Sequence, residues 1–229
     1  GTTVALTIFR EGDKDPKEIK IVRETINIPT LDTELRLDGI FVIKLYSFSA
    51  NSASLFRDAL KKFSESKTDK LLLDLRGNPG GYLDVAVDVA SWFLPEVKIV
   101  VTEDYGDDKK PEIFRSKGYD VFNDNLKFVI LIDGGSASAS EIVAGAIQDH
   151  GIAKLVGAQS FGKGSVQEPI KITPDTLLKI TVAKWLTPNG NLIEKKGLTP
   201  DYSVEITRKD LDTKKDPQME KAVEILLAN

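Results

Sequence analysis

The chain has 229 residues, of which 41% are apolar and 29% are charged, and its net charge is -4. This composition predicts a globular protein with one substantial core and an accessory piece. The 31 basic and 35 acidic residues are mixed along the chain, which excludes a nucleic-acid footprint. No apolar run approaches the roughly 20 residues of a membrane helix, and the absence of cysteine excludes disulfides and thiolate chemistry.

The amino-terminal region reads as a β-hairpin followed by a boundary. Residues 3–9 and 18–23 alternate between apolar and polar side chains, as paired strands do. Pro29 ends that pattern, and the polar passage after it places a domain boundary near residues 30–38. The start at Gly1, directly before a strand, predicts a trimmed or processed piece of a longer protein, with any signal or anchor outside it.

From residue 40 onward, strand and helix patterns alternate, which predicts an α/β core with a mainly parallel sheet. The predicted strands cover residues 40–45, 70–75, 97–102, 128–132, 152–156, 166–172 and 177–185. Residues 83–94 are predicted as one helix, and three further helices have apolar inner faces. Those faces are Leu55, Phe56, Ala59, Leu60 and Phe63; Ile142, Val143, Ala146 and Ile147; and Ala222, Val223, Leu226 and Leu227. Asp216 and Pro217 begin the last helix, because Asp caps free amides and Pro fits a first turn.

Two glycine-rich turns, RGNPGG at 76–81 and DGGSASAS at 133–140, each follow a buried strand. In parallel sheets, sites form at the carboxyl ends of strands, so we expect the two turns to be the walls of one cleft. Ser138 would begin a helix, where the Ala139 amide and the helix dipole favour negative charge. The glycine pair at 80–81 lacks β-carbons and lets a second backbone amide approach a substrate carbonyl.

A serine nucleophile needs a base, and the sequence offers Lys163 in the segment FGKGSVQ. The single histidine, His150, lies at the far end of the helix that begins with Ser138, about 18 Å away at about 1.5 Å per residue. A lysine is mostly charged near pH 7 and serves as a base only where burial favours the neutral amine. The sequence therefore predicts a buried Lys163, with the Gln167 amide oxygen orienting its amine.

The serines also have structural readings. Ser138 and Glu141 match the S-x-x-E capping box, so the Ser138 hydroxyl has an alternative as a helix cap. Ser136 and Ser140 are predicted as a turn hydroxyl and a helix-surface hydroxyl.

The segment GAQSFGKG at 157–164 approaches a phosphate-binding loop. Gly164 stands where a hydroxyl would hold magnesium, and a strand pattern that contains Pro169 follows where a helix is required. We therefore do not expect nucleotide binding.

These segments together resemble the carboxyl-terminal processing, or tail-specific, serine peptidases. The likeness covers most of the chain, through DGIFVIKLYSFS, DLRGNPGG, GGSASASEIVAGAIQDH, GAQSFGKGSVQ and WLTPNGNLIEKKGLTPD. The resemblance implies that Ser138 is the nucleophile, Lys163 the base and Gln167 the residue that orients the lysine. No metal or cofactor is implied.

The resemblance also implies an oxyanion hole. Its amides map to Ala139 and to the glycine pair of RGNPGG, where Gly81 is favoured and Gly80 stays open.

The fold that the resemblance implies is an α/β core related to crotonase and Clp protease, with flanking helices. Residues 1–36 would be the closing strands of a PDZ domain with a linker, without its carboxylate-binding loop. Residues 37–208 would be the peptidase core, and residues 209–229 a helical carboxyl-terminal segment.

The implied activity is a serine endopeptidase that cuts polypeptides with accessible carboxyl termini through an acyl-enzyme. Members act outside the cytoplasm, in the periplasm, at the cell surface or in the thylakoid lumen. Two alternatives stay open: an inactive scaffold that holds peptides, and a crotonase-type acyl-thioester enzyme that needs no neutral lysine. A homo-oligomer, an adaptor and a membrane-associated longer form also stay open.

Overall fold

The computed structural model describes residues 1–26, 29–107, 109–119, 121–122 and 125–228. The helices are α1 (Ser52–Glu65), α2 (Leu83–Ser91), α3 (Ala139–Asp149), α4 (Arg208–Asp212) and α5 (Pro217–Ala228). The first six strands are β1 (Thr3–Ile8), β2 (Lys17–Val22), β3 (Leu31–Leu35), β4 (Phe41–Leu45), β5 (Lys70–Asp74) and β6 (Ile99–Asp104). The other six are β7 (Glu112–Arg115), β8 (Lys127–Ile132), β9 (Lys154–Gly157), β10 (Ser165–Thr173), β11 (Thr176–Leu186) and β12 (Tyr202–Ser203).

A six-stranded sheet with the order β12-β9-β8-β5-β4-β3 forms the centre of the fold. Its neighbouring strands are parallel except for β3, which runs antiparallel to β4 at one edge. The predicted mainly parallel sheet is therefore confirmed. Residues 31–35, predicted as part of a linker, form this edge strand instead. Asp32 and Glu34 alternate with Leu31 in this strand. Charged residues are typical of edge strands, and here they leave too few apolar residues for the strand to be predicted from its sequence.

Helices cover both faces of this sheet. The larger core holds the buried faces of α1, α2 and α3, and the smaller one holds α5 through Ala222 and Leu226. The predicted apolar face of α3 is confirmed, since all four of its residues are buried. The faces predicted for α1 and α5 were each wrong by one residue, because Leu55 is 36% exposed and Leu227 is 49% exposed.

A second sheet, which the sequence analysis did not predict, has four antiparallel strands in the order β10-β11-β6-β7. The β10–β11 hairpin extends from it with both strands exposed near the turn. The predicted amino-terminal hairpin is confirmed as a separate two-stranded sheet of β1 and β2. Over the described ranges, no helix has the length and apolar character needed to cross a membrane.

Candidate active site

The two glycine-rich turns meet at the carboxyl ends of β5 and β8, which are neighbouring parallel strands. Asp133 Oδ1 accepts hydrogen bonds from the amides of Gly77 and Gly135, each at 2.8 Å. A β-carbon on Gly135 would lie 2.8 Å from the Gly77 Cα atom, so the turns touch back to back. The structure thus brings the two turns into contact, as expected, and Asp133 is a joining residue that the sequence did not reveal.

Ser138 lies in a strained backbone conformation at the start of α3. Its φ of 55° and ψ of -115° are rarely adopted by a residue with a β-carbon. Such strain concentrates at functional sites, and a sharp strand-to-helix turn is the way α/β-hydrolases present their serine nucleophile. Ser138 and Glu141 form the capping box that the sequence offered as an alternative, in which the Glu141 side chain accepts from the Ser138 amide. No described residue accepts a hydrogen bond from the Ser138 hydroxyl, and the residue is half-buried. Its hydroxyl is thus available for chemistry.

Two backbone amides beside Ser138 have no acceptor among the described residues: those of Ala139 and Gly81. The Gly80 amide, in contrast, donates to Asn78 Oδ1 at 2.9 Å. A β-carbon on Gly80 would lie 2.8 Å from the Ala139 nitrogen, which places this loop directly against the DGGSASAS turn. The geometry favours Gly81 over Gly80 as the oxyanion donor that accompanies Ala139.

Glu141 connects the DGGSASAS turn to the lysine segment, whereas the sequence predicted only a capping residue. It is fully buried. Its Oε2 accepts from the amides of Ser138 at 2.8 Å and Lys163 at 2.9 Å. Its Oε1 accepts from the Ser160 hydroxyl at 2.6 Å and the Gly162 amide at 2.7 Å. All four partners are donors, as a carboxylate requires, so Glu141 holds the two motifs together.

The predicted burial of Lys163 was wrong for this structure. Its backbone is anchored by Glu141, but its side chain is exposed, and so is that of Gln167. Over the described part of the chain, no hydrogen bond joins the Lys163 amine to the Ser138 hydroxyl. The lysine loop leads directly into the exposed β10–β11 hairpin rather than into a buried strand.

The pairing between β10 and β11 is irregular at Gln167. Val166 pairs with Ala183 whereas Gln167 pairs with Thr181, so β11 has one extra residue at this point. Bulges of this kind re-aim side chains and are frequent next to active sites. The unpaired residue is Val182 of β11, so the irregularity lies directly opposite Gln167.

The other hydroxyls of the SASAS segment have structural contacts. Ser136 donates to the Leu75 carbonyl at 2.8 Å, as a turn residue. Ser140 was predicted on the helix surface, which was wrong: it is fully buried and donates to the Asn78 carbonyl at 3.0 Å. His150 is the carboxyl-terminal cap of α3, and its Nε2 lies 2.8 Å from the Ile99 carbonyl oxygen. It takes no part in the site.

An ion-pair network fixes the RGNPGG loop to the last helix. Arg76 contacts Asp74 at 2.8 Å and Asp216 at 2.8 Å. Burial opposes the charged guanidinium, but its hydrogen bonds to both carboxylates outweigh burial and raise the pKa of Arg76. Burial likewise opposes ionisation of Asp216, yet the hydrogen bonds from Arg76 and from the Met219 amide lower the pKa of Asp216. The loop is thus tied to the beginning of α5.

The described residues contain no group of three or more histidine, aspartate or glutamate side chains placed to hold a metal ion.

Comparisons with known proteins place the chain in a family. The sequence model of peptidase family S41 matches residues 39–204. A protein named "Carboxy-terminal-processing protease" from Bartonella bacilliformis is 43% identical over 212 residues, which are 90% of this chain and 48% of that protein. A "Probable CtpA-like serine protease" from Staphylococcus haemolyticus is 40% identical over 204 residues, 89% of this chain and 40% of that protein.

The fold is also similar to that of the solved photosystem II D1 C-terminal processing protease. The TM-score is 0.72 at 24% identity, over 84% of this chain and 52% of that one. This likeness concerns the fold alone. The chain spans about half, or less, of the length of the relatives it matches.

Proposed function

The chain belongs to peptidase family S41, and on that basis we propose that it is the catalytic part of a serine endopeptidase that cuts polypeptides near their carboxyl termini. The proposed nucleophile is Ser138, the proposed base is Lys163, and Gln167 orients the lysine. The amides of Ala139 and Gly81 form the proposed oxyanion hole. No step in this scheme uses a metal or cofactor.

One observation carries the proposal: a single carboxylate oxygen of Glu141 accepts from the amides of both Ser138 and Lys163, at 2.8 and 2.9 Å. Two segments that are far apart in sequence are therefore neighbours through one buried atom. The strained backbone of Ser138 supports the same reading, because strain at a serine that begins a helix is typical of a presented nucleophile.

The proposed reaction proceeds through an acyl-enzyme. The neutral Lys163 amine takes the hydroxyl proton as Ser138 Oγ attacks the substrate carbonyl carbon. The resulting oxyanion accepts hydrogen bonds from the amides of Ala139 and Gly81. Collapse of the tetrahedral intermediate breaks the peptide bond, and the lysine ammonium gives its proton to the leaving amine. Water, deprotonated by Lys163, then hydrolyses the ester and releases the second product.

The exposed amine of Lys163 must rotate toward Ser138 for this chemistry. Because its backbone is already anchored by Glu141, the movement needs only the four-carbon lysine stem. A bound polypeptide would cover the amine and remove water, which favours its neutral form. We therefore propose that substrate binding completes the dyad, with the Gln167 side chain accepting a hydrogen bond from the amine.

The identity of the substrates and the location follow from the same proposal. The substrates are polypeptides with accessible carboxyl termini, and the longer protein acts outside the cytoplasm, in the periplasm, at a cell surface or in a thylakoid lumen. The hairpin of β1 and β2 is proposed as the closing part of a PDZ domain. The proposed peptidase core at 37–208 also takes in β3 (Leu31–Leu35) as an edge strand, and the helical segment at 209–229 packs on its sheet through α5. Association with a second copy, an adaptor or a membrane stays a prediction for the longer protein.

The first test is cleavage of an unfolded protein substrate by Ser138→Ala and Lys163→Ala. Each change is expected to reduce turnover by about 10³-fold or more, because the two groups act as one unit. The matched controls are Ser203→Ala and Lys171→Ala, which alter an exposed serine and an exposed lysine. Parent-like turnover in either site variant would remove the proposed mechanism.

Two further assays separate the alternatives. A serine-reactive phosphonate should add one adduct to the parent and none to Ser138→Ala, as read by intact mass; an inactive scaffold would bind peptide without any adduct. A crotonase-type enzyme would turn over an acyl thioester in Lys163→Ala as fast as in the parent, whereas the proposed peptidase would not.

A further inference from the structure

We infer that Asn78 is a positioning residue that selects the Gly81 amide, rather than the Gly80 amide, as the oxyanion donor. The inference rests on the proposed function, since it assigns a role within that acyl-transfer site.

Both ends of the Asn78 side-chain amide are used. The residue is fully buried. Its Nδ2 donates to the Leu45 carbonyl at 2.7 Å, and its Oδ1 accepts from the Gly80 amide at 2.9 Å. The first contact fixes the loop to the end of β4. The second contact engages the Gly80 amide, so that this amide cannot donate to a substrate oxygen in place of the Gly81 amide.

The peptide groups on either side of Gly81 are also paired, which sets the direction of its own amide. The Gly80 carbonyl accepts from the Phe48 amide at 2.9 Å, and the Tyr82 amide donates to the Phe48 carbonyl at 2.8 Å. In such a parallel bridge, the amide and carbonyl of the central residue face away from the partner strand. The Gly81 N–H is therefore turned away from Phe48 and stays available.

The main chain of Asn78 connects this loop to the nucleophile turn. Its carbonyl accepts from the Ala137 amide at 3.0 Å and from the Ser140 hydroxyl at 3.0 Å. Ala137 and Ser140 flank Ser138 and Ala139. One buried residue thus sets the position of the Gly81 amide relative to both the nucleophile and the second oxyanion amide.

The chemistry of this position requires one donor and one acceptor on a short side chain. An ionised aspartate would place an acceptor against the Leu45 carbonyl, whereas a protonated aspartic acid offers an O–H donor and a carbonyl acceptor in nearly the same shape. Asn78→Asp is therefore expected to act as a pH-controlled replacement, functional only when its carboxyl group is protonated.

The experiment compares kcat and KM of the parent and Asn78→Asp from pH 5 to pH 8.5. We expect kcat of the variant to fall on the order of 10²-fold at pH 8, the effect of losing one oxyanion donor, with KM little changed. The ratio of variant to parent kcat should rise toward 1 as the pH falls. Asn191→Asp, which alters an exposed asparagine, should keep a flat ratio near 1.

A second variant keeps the inference testable if Asn78→Asp unfolds at high pH, which thermal denaturation at each pH reveals. Asn78→Ser retains one of the two hydrogen bonds and has no titrating group. Its ratio of variant to parent kcat should therefore be below 1 at every pH and should not change with pH. A peptide aldehyde, which forms a tetrahedral adduct on serine, should bind each variant more weakly in proportion to the loss of kcat.

The outcomes separate this inference from the proposed function. If the parent shows no cleavage that depends on Ser138, the proposed function fails. If that cleavage is present but Asn78→Asp has a flat ratio of kcat near 1, only the role of Asn78 is overturned. The same holds if the variant has a higher KM and a lower kcat while its affinity for the aldehyde is unchanged.

Discussion

Replacing Glu141 by glutamine should loosen the connection between the nucleophile turn and the lysine loop. The change keeps the size of the side chain but turns one acceptor oxygen into an NH₂ donor. Each oxygen accepts two hydrogen bonds, so two are lost whichever end the new group occupies. Hydrogen bonds to charged groups contribute about 1.5–3 kcal/mol each, which gives a gross loss of about 3–6 kcal/mol.

Removal of a buried charge offsets part of that loss, so we expect a net destabilisation of about 3 kcal/mol against a total stability of about 5–15 kcal/mol. The melting temperature should fall by about 6–12 °C for a chain of this length.

Urea unfolding, monitored by tryptophan fluorescence, measures the change in the free energy of unfolding. Hydrogen exchange measures how readily individual amides near Glu141 open to solvent. The amides of Ser138, Gly162 and Lys163 should exchange faster in Glu141→Gln than in the parent. Glu168→Gln, which alters an exposed glutamate of β10, should change the free energy of unfolding by less than about 0.5 kcal/mol. Unchanged stability together with unchanged exchange at these three amides would refute the assigned role of Glu141.

Two other changes test the surroundings of the site. Gly80→Ala would place a β-carbon 2.8 Å from the Ala139 nitrogen at a φ of +95°, so it should abolish turnover and lower the melting temperature. The control is Gly39→Ala, where φ is +79° and the surrounding space is open. Its melting temperature should fall only by the cost of backbone strain, and its turnover should match the parent. Asp216→Asn tests pH dependence: because its pairing with Arg76 lowers the pKa of Asp216, the stabilisation is present above about pH 4 and is lost as the pH falls through the lowered value. The difference in melting temperature between parent and variant should shrink toward acid; a constant difference from pH 7 to pH 2 would contradict this pairing.

The parts of the fold that periodicity controls could be predicted from sequence. The parallel strands are continuous apolar runs because helices cover both faces. The four residues predicted for the inner face of α3 are buried, although every residue from Ala139 to Ile147 is buried as well. The beginning of α5 was also readable, since Asp216 Oδ1 accepts from the Met219 amide at 3.0 Å as a cap.

The antiparallel sheet was harder to predict because its pairing is non-local. The strands β6, β10 and β11 were each predicted, but β6 pairs with β11, which lies far along the chain, and no local pattern shows that pairing. The edge strand β3 was hidden for a similar reason, because charged residues alternate along it.

The candidate site divides in the same way. Motif spacing identified Ser138 and Lys163 as candidates, because small residues and glycines mark turns at strand ends. The connecting residues were not found, because Glu141, Asp133 and Asn78 act through backbone amides of distant segments. The sequence offered one signal for Glu141, namely a glutamate within a strongly apolar helix.

Chemical rescue of Lys163→Ala tests the central claim most directly. Small primary amines that enter the space left by the side chain should restore cleavage of a peptide substrate, at a rate that follows the concentration of the unprotonated amine and depends on Ser138. Turnover of Lys163→Ala at the parent rate without added amine, or a rescue that follows the protonated amine, would contradict a lysine base.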